Sequence, residues 1–472
     1  MKRFRLAVLL LVAFALVAAA CSSDSDDTTT TAAGGDETTT TAAETATTAA
    51  GETTTTAATV TTEAVSLEGT TVTVFGPEAS DEEAGAMQDA LNVFAEANGM
   101  TIVYTGARDF SDQINAQAAG GNPPDIAIFP QPGKVADFAD EGFILPLPDA
   151  VTSTVNANWP EAFVSFGNVD GVQYGVPNKA DIKSLVWYDS VAFAENGYAI
   201  PETLDELWAL GDQMVANGQT PWCVGIESGP ATGWPFTDWV EDIVLRQHGP
   251  DVYDLWVEAD VSFEDDRIIA AFETFGEIVH HPGRVLGGTQ RILNTSWTQA
   301  QDPMFDIPAR CLLHRQGSVQ EAQLPSWVTI GTETDAFVLP AMDGGEPPIL
   351  AAGEFAAAFT DRPEVHALLQ YLATPEAGAA WAAAGGFVSP HASFDSTIYG
   401  DDLDRRMAEI MKSAEVIRLD GSDAMVPSVG TGTFWTGMVS YIRSGDARTV
   451  AAEIQAGYPE VTHFPEVPVS EG

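Results

Sequence analysis

The chain of 472 residues carries 68 acidic against 20 basic side chains, a formal net charge of -48, and is 45% hydrophobic with 11 Trp and 23 Phe. That apolar and aromatic content can fill sizeable cores, which excludes a wholly disordered chain, and the length suggests about two or three domains. So negative a chain would repel a phosphate backbone, which excludes nucleic acid as a partner, and the acidity itself reads as a solvated surface.

At the start, Lys2, Arg3 and Arg5 precede an apolar stretch over residues 6–17 that is too short to span a bilayer, the pattern of an export signal. Ala18, Ala19 and Ala20 then meet Cys21. This ending resembles the bacterial lipobox, in which the cysteine is acylated and the chain is cut just before it, although Ala18 stands where Leu is usual. The resemblance implies a signal peptide over residues 1–20 and lipidation at Cys21, anchoring the protein to the outer face of the bacterial cytoplasmic membrane. Ordinary cleavage after Ala20 is the alternative, and both readings export the chain.

Residues 21–66 are rich in Thr and Ala, with Thr runs at 28–31, 38–41 and 53–56. Such a segment cannot bury a core and reads as a disordered tether, with an r.m.s. span of roughly 37 Å. No later stretch is apolar over about 18 residues, so the rest reads as soluble. Export favours a disulfide between Cys223 and Cys311, whose loop of about 88 residues would remove on the order of 4.6 kcal/mol of unfolded-state entropy. Two buried free thiols are the alternative.

From about Leu67 strands and helices alternate. Residues 71–75 read as a strand, and Ser80, Asp81, Glu82 and Glu83 form a capping box leading a helix with Met87, Leu91 and Phe94 on one face. A strand over 101–105, a helix around 109–119 and a strand over 126–129 follow, a rhythm that implies parallel βαβ units. The pattern restarts with a strand over 184–188 and a second capping box at Thr203–Glu206. Asp361 reads as the cap of a helix with Pro363 near its start, Thr374 and Pro375 start the next, and Gly385 and Gly386 end it.

Several blocks now resemble a known family. Gly120-Gly121-Asn122-Pro123-Pro124-Asp125-Ile126, Val176-Pro177-Asn178-Lys179, Ser184-Leu185-Val186-Trp187-Tyr188, Trp234-Pro235-Phe236-Thr237-Asp238-Trp239, His314-Arg315-Gln316-Gly317-Ser318, Phe387-Val388-Ser389-Pro390 and Phe434-Trp435 occur in the order seen in carbohydrate-binding proteins of ABC importers, the maltose-type extracellular solute-binding family. Together with the two cysteines and residues 371–376, they are most similar to its α-glucoside or oligosaccharide branch. The resemblance covers nearly everything after the tether. It implies an α/β, two-lobed periplasmic-binding-protein-like fold with a hinge, an interlobe cleft and discontinuous lobes. It places lobe one at 67–182 plus 333–384 and lobe two at 183–332 plus 385–472. It also implies a monomer that delivers a carbohydrate to ABC permease subunits and touches the membrane through its lipid anchor only.

A sugar presents apolar C–H faces and a ring of hydroxyls, so its cleft needs flat aromatic side chains and polar groups that fix the hydroxyl pattern. Trp435, after the glycine-bearing loop 430–433, matches the stacking aromatic of the family, and Trp234 is predicted to face the cleft ahead of a helix starting near Asp238. Trp239 reads as core. Open α/β sheets place ligand contacts at strand carboxyl ends, which nominates Glu78 after the first strand, Arg108 and Asp109 after the second, and Gln131 after the third. Lys179 and Asp181 lie at the presumed crossover. Asp238, Gln316 and Glu354 come from family blocks, Glu354 standing where relatives have Asp.

The sequence holds no nucleophile elbow, phosphate loop or zinc helix, and His280-His281 reads as a helix terminus, so neither a metal nor a cofactor is expected. A binding module therefore outranks an enzyme. The alternatives are a lipoprotein of the same fold that binds a polyamine, peptide or other solute and, behind it, an exported glycoside hydrolase.

Overall fold

The computed structural model describes residues 66–459, so the export signal, Cys21 and nearly all of the Thr-rich tether lie outside the described residues. Strands β1 (Thr71–Gly76), β2 (Thr101–Gly106) and β3 (Ile126–Phe129) form where the sequence places them, joined by the helices Asp81–Asn98 and Phe110–Ala119. β1 pairs in parallel with both β2 and β3, the geometry that helical crossovers impose. Ser80 opens the first helix with a complete capping box, accepting from Glu83 N while the Glu83 carboxylate accepts from Ser80 N.

A short hairpin, β4 (Asn168–Val169) with β5 (Val172–Gln173), leads into β6 (Val176–Ile182). The chain then leaves this sheet through Lys183 and Ser184. β7 (Leu185–Asp189) pairs with β8 (Leu313–Arg315) and β9 (Thr334–Val338) in a second sheet that is wholly antiparallel. β10 (Ile349–Ala358) returns to the first sheet, pairing antiparallel with β3 and β6 and parallel with β11 (Ile417–Leu419). Beyond Leu419 the chain leaves again at Asp420. Three segments thus cross between the sheets: Lys183–Ser184, residues 339–348, and Asp420.

Each sheet has its own apolar core. The first is built on Val74, Ile102, Ile128, Phe129, Phe355 and Leu369, the second on Trp222, Trp239, Ile243, Phe272, Phe275 and Phe434. Burying a side chain of this size contributes about 1.5–3 kcal/mol, so two such cores support two bodies. Residues 385–419, placed in lobe two from the sequence, contribute Phe387, Phe394, Leu403, Met407 and Leu419 to the first core. The cause is local: β11 hydrogen-bonds to β10, and the helix Asp402–Ser413 turns Leu403, Met407 and Met411 inward. Cys223 and Cys311 are bonded, their Cα atoms 5.5 Å apart, in a small apolar cluster with Met304.

Three local expectations shift. The helix containing Asp238 begins at Trp234, because Pro235 suits a first helical turn. Arg362, not Asp361, occupies the cap position of the helix Pro363–Leu372. In the second capping box Thr203 accepts from Glu206 N, but the Glu206 carboxylate accepts from Glu202 N instead of closing on Thr203.

Candidate functional site

A cavity of ≈ 800 Å³ opens beside the first and third crossings, with Lys183 and Asp420 on its lining. Its first wall comes from the carboxyl ends of the parallel strands. Glu78 follows β1, Arg108 and Asp109 follow β2, Gln131 follows β3, and all four line the cavity. A Cβ on Gly106 would stand 1.7 Å from the Glu78 carbonyl oxygen, so only glycine lets the Glu78 loop close over the end of β2. Tyr104 on β2 then donates to Glu78 Oε2 at 2.6 Å, and its hydroxyl accepts from Glu78 N at 3.1 Å.

β6 and β10 supply the charged floor. Their register sets Lys179 opposite Glu354, with Nζ 3.7 Å from Glu354 Oε1 and 3.5 Å from Asp181 Oδ2, and the ammonium stands 4.9 Å from the Trp381 ring centroid. Burial works against the Lys179 charge, but Asp181 and Glu354 outweigh it and push its pKa up. Burial, and next the Glu78 carboxylate, pushes Glu354 well above the usual carboxylate range. Glu354 Oε2 is buried and has no hydrogen-bond partner.

The second wall is aromatic. Trp234, Trp297 and Trp435 line the cavity, and none of the three belongs to either apolar core. Trp234 and Trp297 meet edge to face at 5.0 Å, and Trp234 Nε1 donates to Ser228 Oγ at 3.1 Å. The Trp435 Nε1 donor is buried without a partner. Gly233, at φ 131°, brings the two indole-bearing segments together: a Cβ there would lie 2.2 Å from the Trp435 carbonyl oxygen. This wall offers what sugar rings need, flat faces and a free N–H.

Between the walls stands Lys183, from the first crossing segment. Its Nζ lies 3.1 Å from Asp420 and 3.2 Å from Asp238, and 4.6 Å from the Trp234 ring centroid. Burial pushes Asp238 up to about 7, Lys183 opposing. Burial also works against Asp420, yet Lys183 with hydrogen bonds from Asp238 and Ser422 holds it down at about 2. Behind them Asp242 accepts from Arg315 at 2.6 Å and from Ser184 Oγ at 2.7 Å. Since Ser184 Oγ also receives Leu350 N at 2.8 Å, and Arg246 of the same helix donates to the Leu339, Pro340 and Pro348 carbonyls, the first two crossings are stitched to one helix. At the rim, Glu321 lies with Asp401 and Asp404, their carboxylate oxygens within 4.8 Å. Burial, then the neighbouring carboxylates, pushes Glu321 up to about 9 and Asp404 to about 7.

Of the residues nominated from the sequence, Glu78, Arg108, Asp109, Gln131, Lys179, Asp181, Trp234, Glu354 and Trp435 come together on the cavity lining. Asp238 and Gln316 do not line it. Asp238 is fully buried in the Lys183 ion pair, and Gln316 is turned inward, its side-chain oxygen accepting from Gly317 N and its carbonyl from Trp187 Nε1. Trp239 lies in the second core as read. Lys183, Trp297 and Trp381 were not nominated. A lone Trp in the alanine-rich helix Ala379–Ala384 is a signal that could have found Trp381, whereas Trp297 has no local one.

The description "Bacterial extracellular solute-binding protein" matches residues 89–402. Osmoprotective compounds-binding protein GgtB of Synechocystis sp. is 42% identical over 390 residues, spanning 82% of this chain and 92% of that relative. Alpha-glucosides-binding periplasmic protein AglE of Rhizobium meliloti is 35% identical over 405 residues, 84% of this chain and 88% of its own. In fold, the bacterial solute receptor AcbH aligns with a TM-score of 0.70 at 18% identity, covering 82% of this chain and 97% of that one. With two sheets, two cores and a cleft at the crossings, this chain belongs to the bacterial extracellular solute-binding protein family and has its two-lobed fold.

Proposed function

We propose that the protein is the extracytoplasmic carbohydrate-binding subunit of an ABC importer, capturing an α-glucoside or an oligosaccharide by hinge closure and presenting it to the permease. The observation that carries this reading is the set of three cleft tryptophans outside either core, one with an unpartnered N–H, facing a wall of carboxylates and a lysine. Apolar side chains kept out of a core have another surface to meet, and stacked sugar rings fit it. The names of GgtB and AglE, which point to osmoprotective compounds and α-glucosides, support the ligand class.

In this reading Glu78, Arg108, Asp109, Gln131, Lys179, Asp181 and Glu354 pair with hydroxyls, while Trp234 and Trp435, with Trp297 added, stack on ring faces. Asp238 and Gln316 act from behind, Asp238 by fixing Lys183. Lobe one runs over 67–182, 349–419 and lobe two over 185–338, 420–459, the crossings forming the hinge. The ligand favours the closed state only by its excess affinity for that state, so closure needs contacts from both walls. Acylation of Cys21 and the tether of residues 21–66 would hold the lobes outside the cytoplasmic membrane as a monomer beside its permease.

A thermal-shift screen over maltose, trehalose, sucrose, longer α-glucans and spermidine tests the reading. Stabilisation by at least one glucoside is expected, with no turnover of an aryl glucoside. A response to spermidine alone, or robust hydrolysis, would replace it.

A further inference from the structure

Four cationic side chains line the cleft, and their surroundings differ. Arg108 has Glu83 at 2.6 Å, Lys179 has Asp181 and Glu354 at 3.5 and 3.7 Å, and Lys183 has Asp420 and Asp238 at 3.1 and 3.2 Å. Lys134, on the helix Pro132–Asp140, has no carboxylate oxygen within 4.0 Å among the described residues. Its side chain is nonetheless buried, at 7% exposure. What its ammonium meets is neutral: Nζ donates to Asn115 Oδ1 at 3.1 Å and stands 5.7 Å from the Phe138 ring centroid. An ammonium has three N–H groups and no acceptor, so two remain for whatever enters the cleft.

Buried charges are ordinarily held in pairs, because an uncompensated ion away from water is costly. At Lys179 and Lys183 the close carboxylates outweigh burial and push the pKa up. At Lys134 burial wins and pushes it down, since Asp137, Asp112 and Glu141 stand too far off to reverse it. Lys134 also sits in the first turn of its helix, where the positive end of the backbone dipole adds to its charge. With its oxygen turned to Lys134, Asn115 carries its amide N–H groups on the same cavity lining as a further donor.

We propose that Lys134 and Asn115 form a carboxylate-accepting subsite, so that the cleft prefers a glucoside whose non-sugar end is an acid. This rests on the α-glucoside reading and narrows it: the indole wall meets the ring faces while Lys134 meets the acid. A carboxylate brings lone pairs for the two remaining Lys134 N–H groups and for Asn115, together with the negative charge that no side chain supplies within ion-pair distance. A hydroxyl in its place brings lone pairs without charge, which sets the direction of the preference.

Calorimetry with maltobionate and maltitol, α-glucosides that differ by a carboxylate in place of one CH2OH, tests the subsite. The native protein should bind maltobionate at least about tenfold more tightly, and K134M should bind the two alike. Equal or weaker binding of maltobionate by the native protein, or a preference that survives in K134M, would overturn the proposal. Since a buried cation without a carboxylate partner adds little to the fold, the unfolding midpoint of K134M should not drop below the native one. A clear drop would make the ammonium a structural strut and overturn the subsite too. If neither glucoside binds, the α-glucoside reading fails for this pair, and thermal shift with glycerate against glycerol at matched ionic strength still decides the subsite. Stabilisation by glycerate in the native protein but not in K134M supports it, and no difference between the two proteins overturns it.

Discussion

The two walls of the cleft are built on opposite plans. The first places Glu78, Lys179, Asp181 and Glu354 on the ends and register of a hydrogen-bonded sheet, where each charged group is fixed by another. The second places Trp234, Trp297 and Trp435 on helix starts and loops, where an edge contact, the Trp234–Ser228 hydrogen bond, the Lys183 ammonium and the Gly233 approach position them. A polar wall must be rigid because a displaced donor or acceptor loses its bond, whereas an indole face tolerates a shift and still buries area. If the cleft binds as proposed, specificity resides on the first wall and affinity on the second.

Removing charge from the first wall should strike hardest at the fold. Lys179→Met leaves buried Glu354 and partly buried Asp181 without their cation, and a loss of about 3 kcal/mol is expected in denaturant unfolding of the ligand-free protein. A loss below about 1 kcal/mol would mean that the floor does not depend on the ammonium. Removing an indole from the second wall should act on the ligand instead. Trp435→Ala lies outside both cores, so glucoside affinity should fall about 100-fold, on the order of 2.7 kcal/mol by calorimetry, with the smaller change in stability. Equal loss of stability would erase the contrast between the walls.

The smallest effect belongs to the rim. Glu321 and Asp404 have pKa values raised to about 9 and about 7, so the folded state holds protons that the unfolded chain has released. Their contribution is whole below the ordinary carboxylate range and is lost as the pH climbs through about 7 and then about 9. The unfolding midpoint should accordingly fall as pH rises across this window, and Glu321→Gln should flatten the fall. A midpoint in Glu321→Gln that tracks the native one throughout would show that the three carboxylates do not share protons.

Much of the first sheet was legible because its signals are local. β-branched runs mark β1 and β2, the Ser80 box marks the first helix, and the carboxyl-end rule points to Glu78, Arg108 and Gln131, which line the cavity. What escaped depends on distant partners. Lys183 is a site residue only because Asp238 and Asp420 converge on it from 55 and 237 positions along the chain, and no periodicity reports that. Trp297 matters because Trp234 packs against its edge. The placement of residues 385–419 depends on β11 joining β10, a pairing that three residues, Ile417–Leu419, cannot announce.

The second crossing carries a practical consequence. Between β9 and β10, Asp343, Gly344, Gly345 and Glu346 are exposed, in a stretch that spans from one sheet to the other. Surface loops of small polar residues accept insertions. A circularly permuted fluorescent protein spliced at Gly344–Gly345 would have its two ends moved by different bodies, and the receptor would become an optical gauge of its own occupancy.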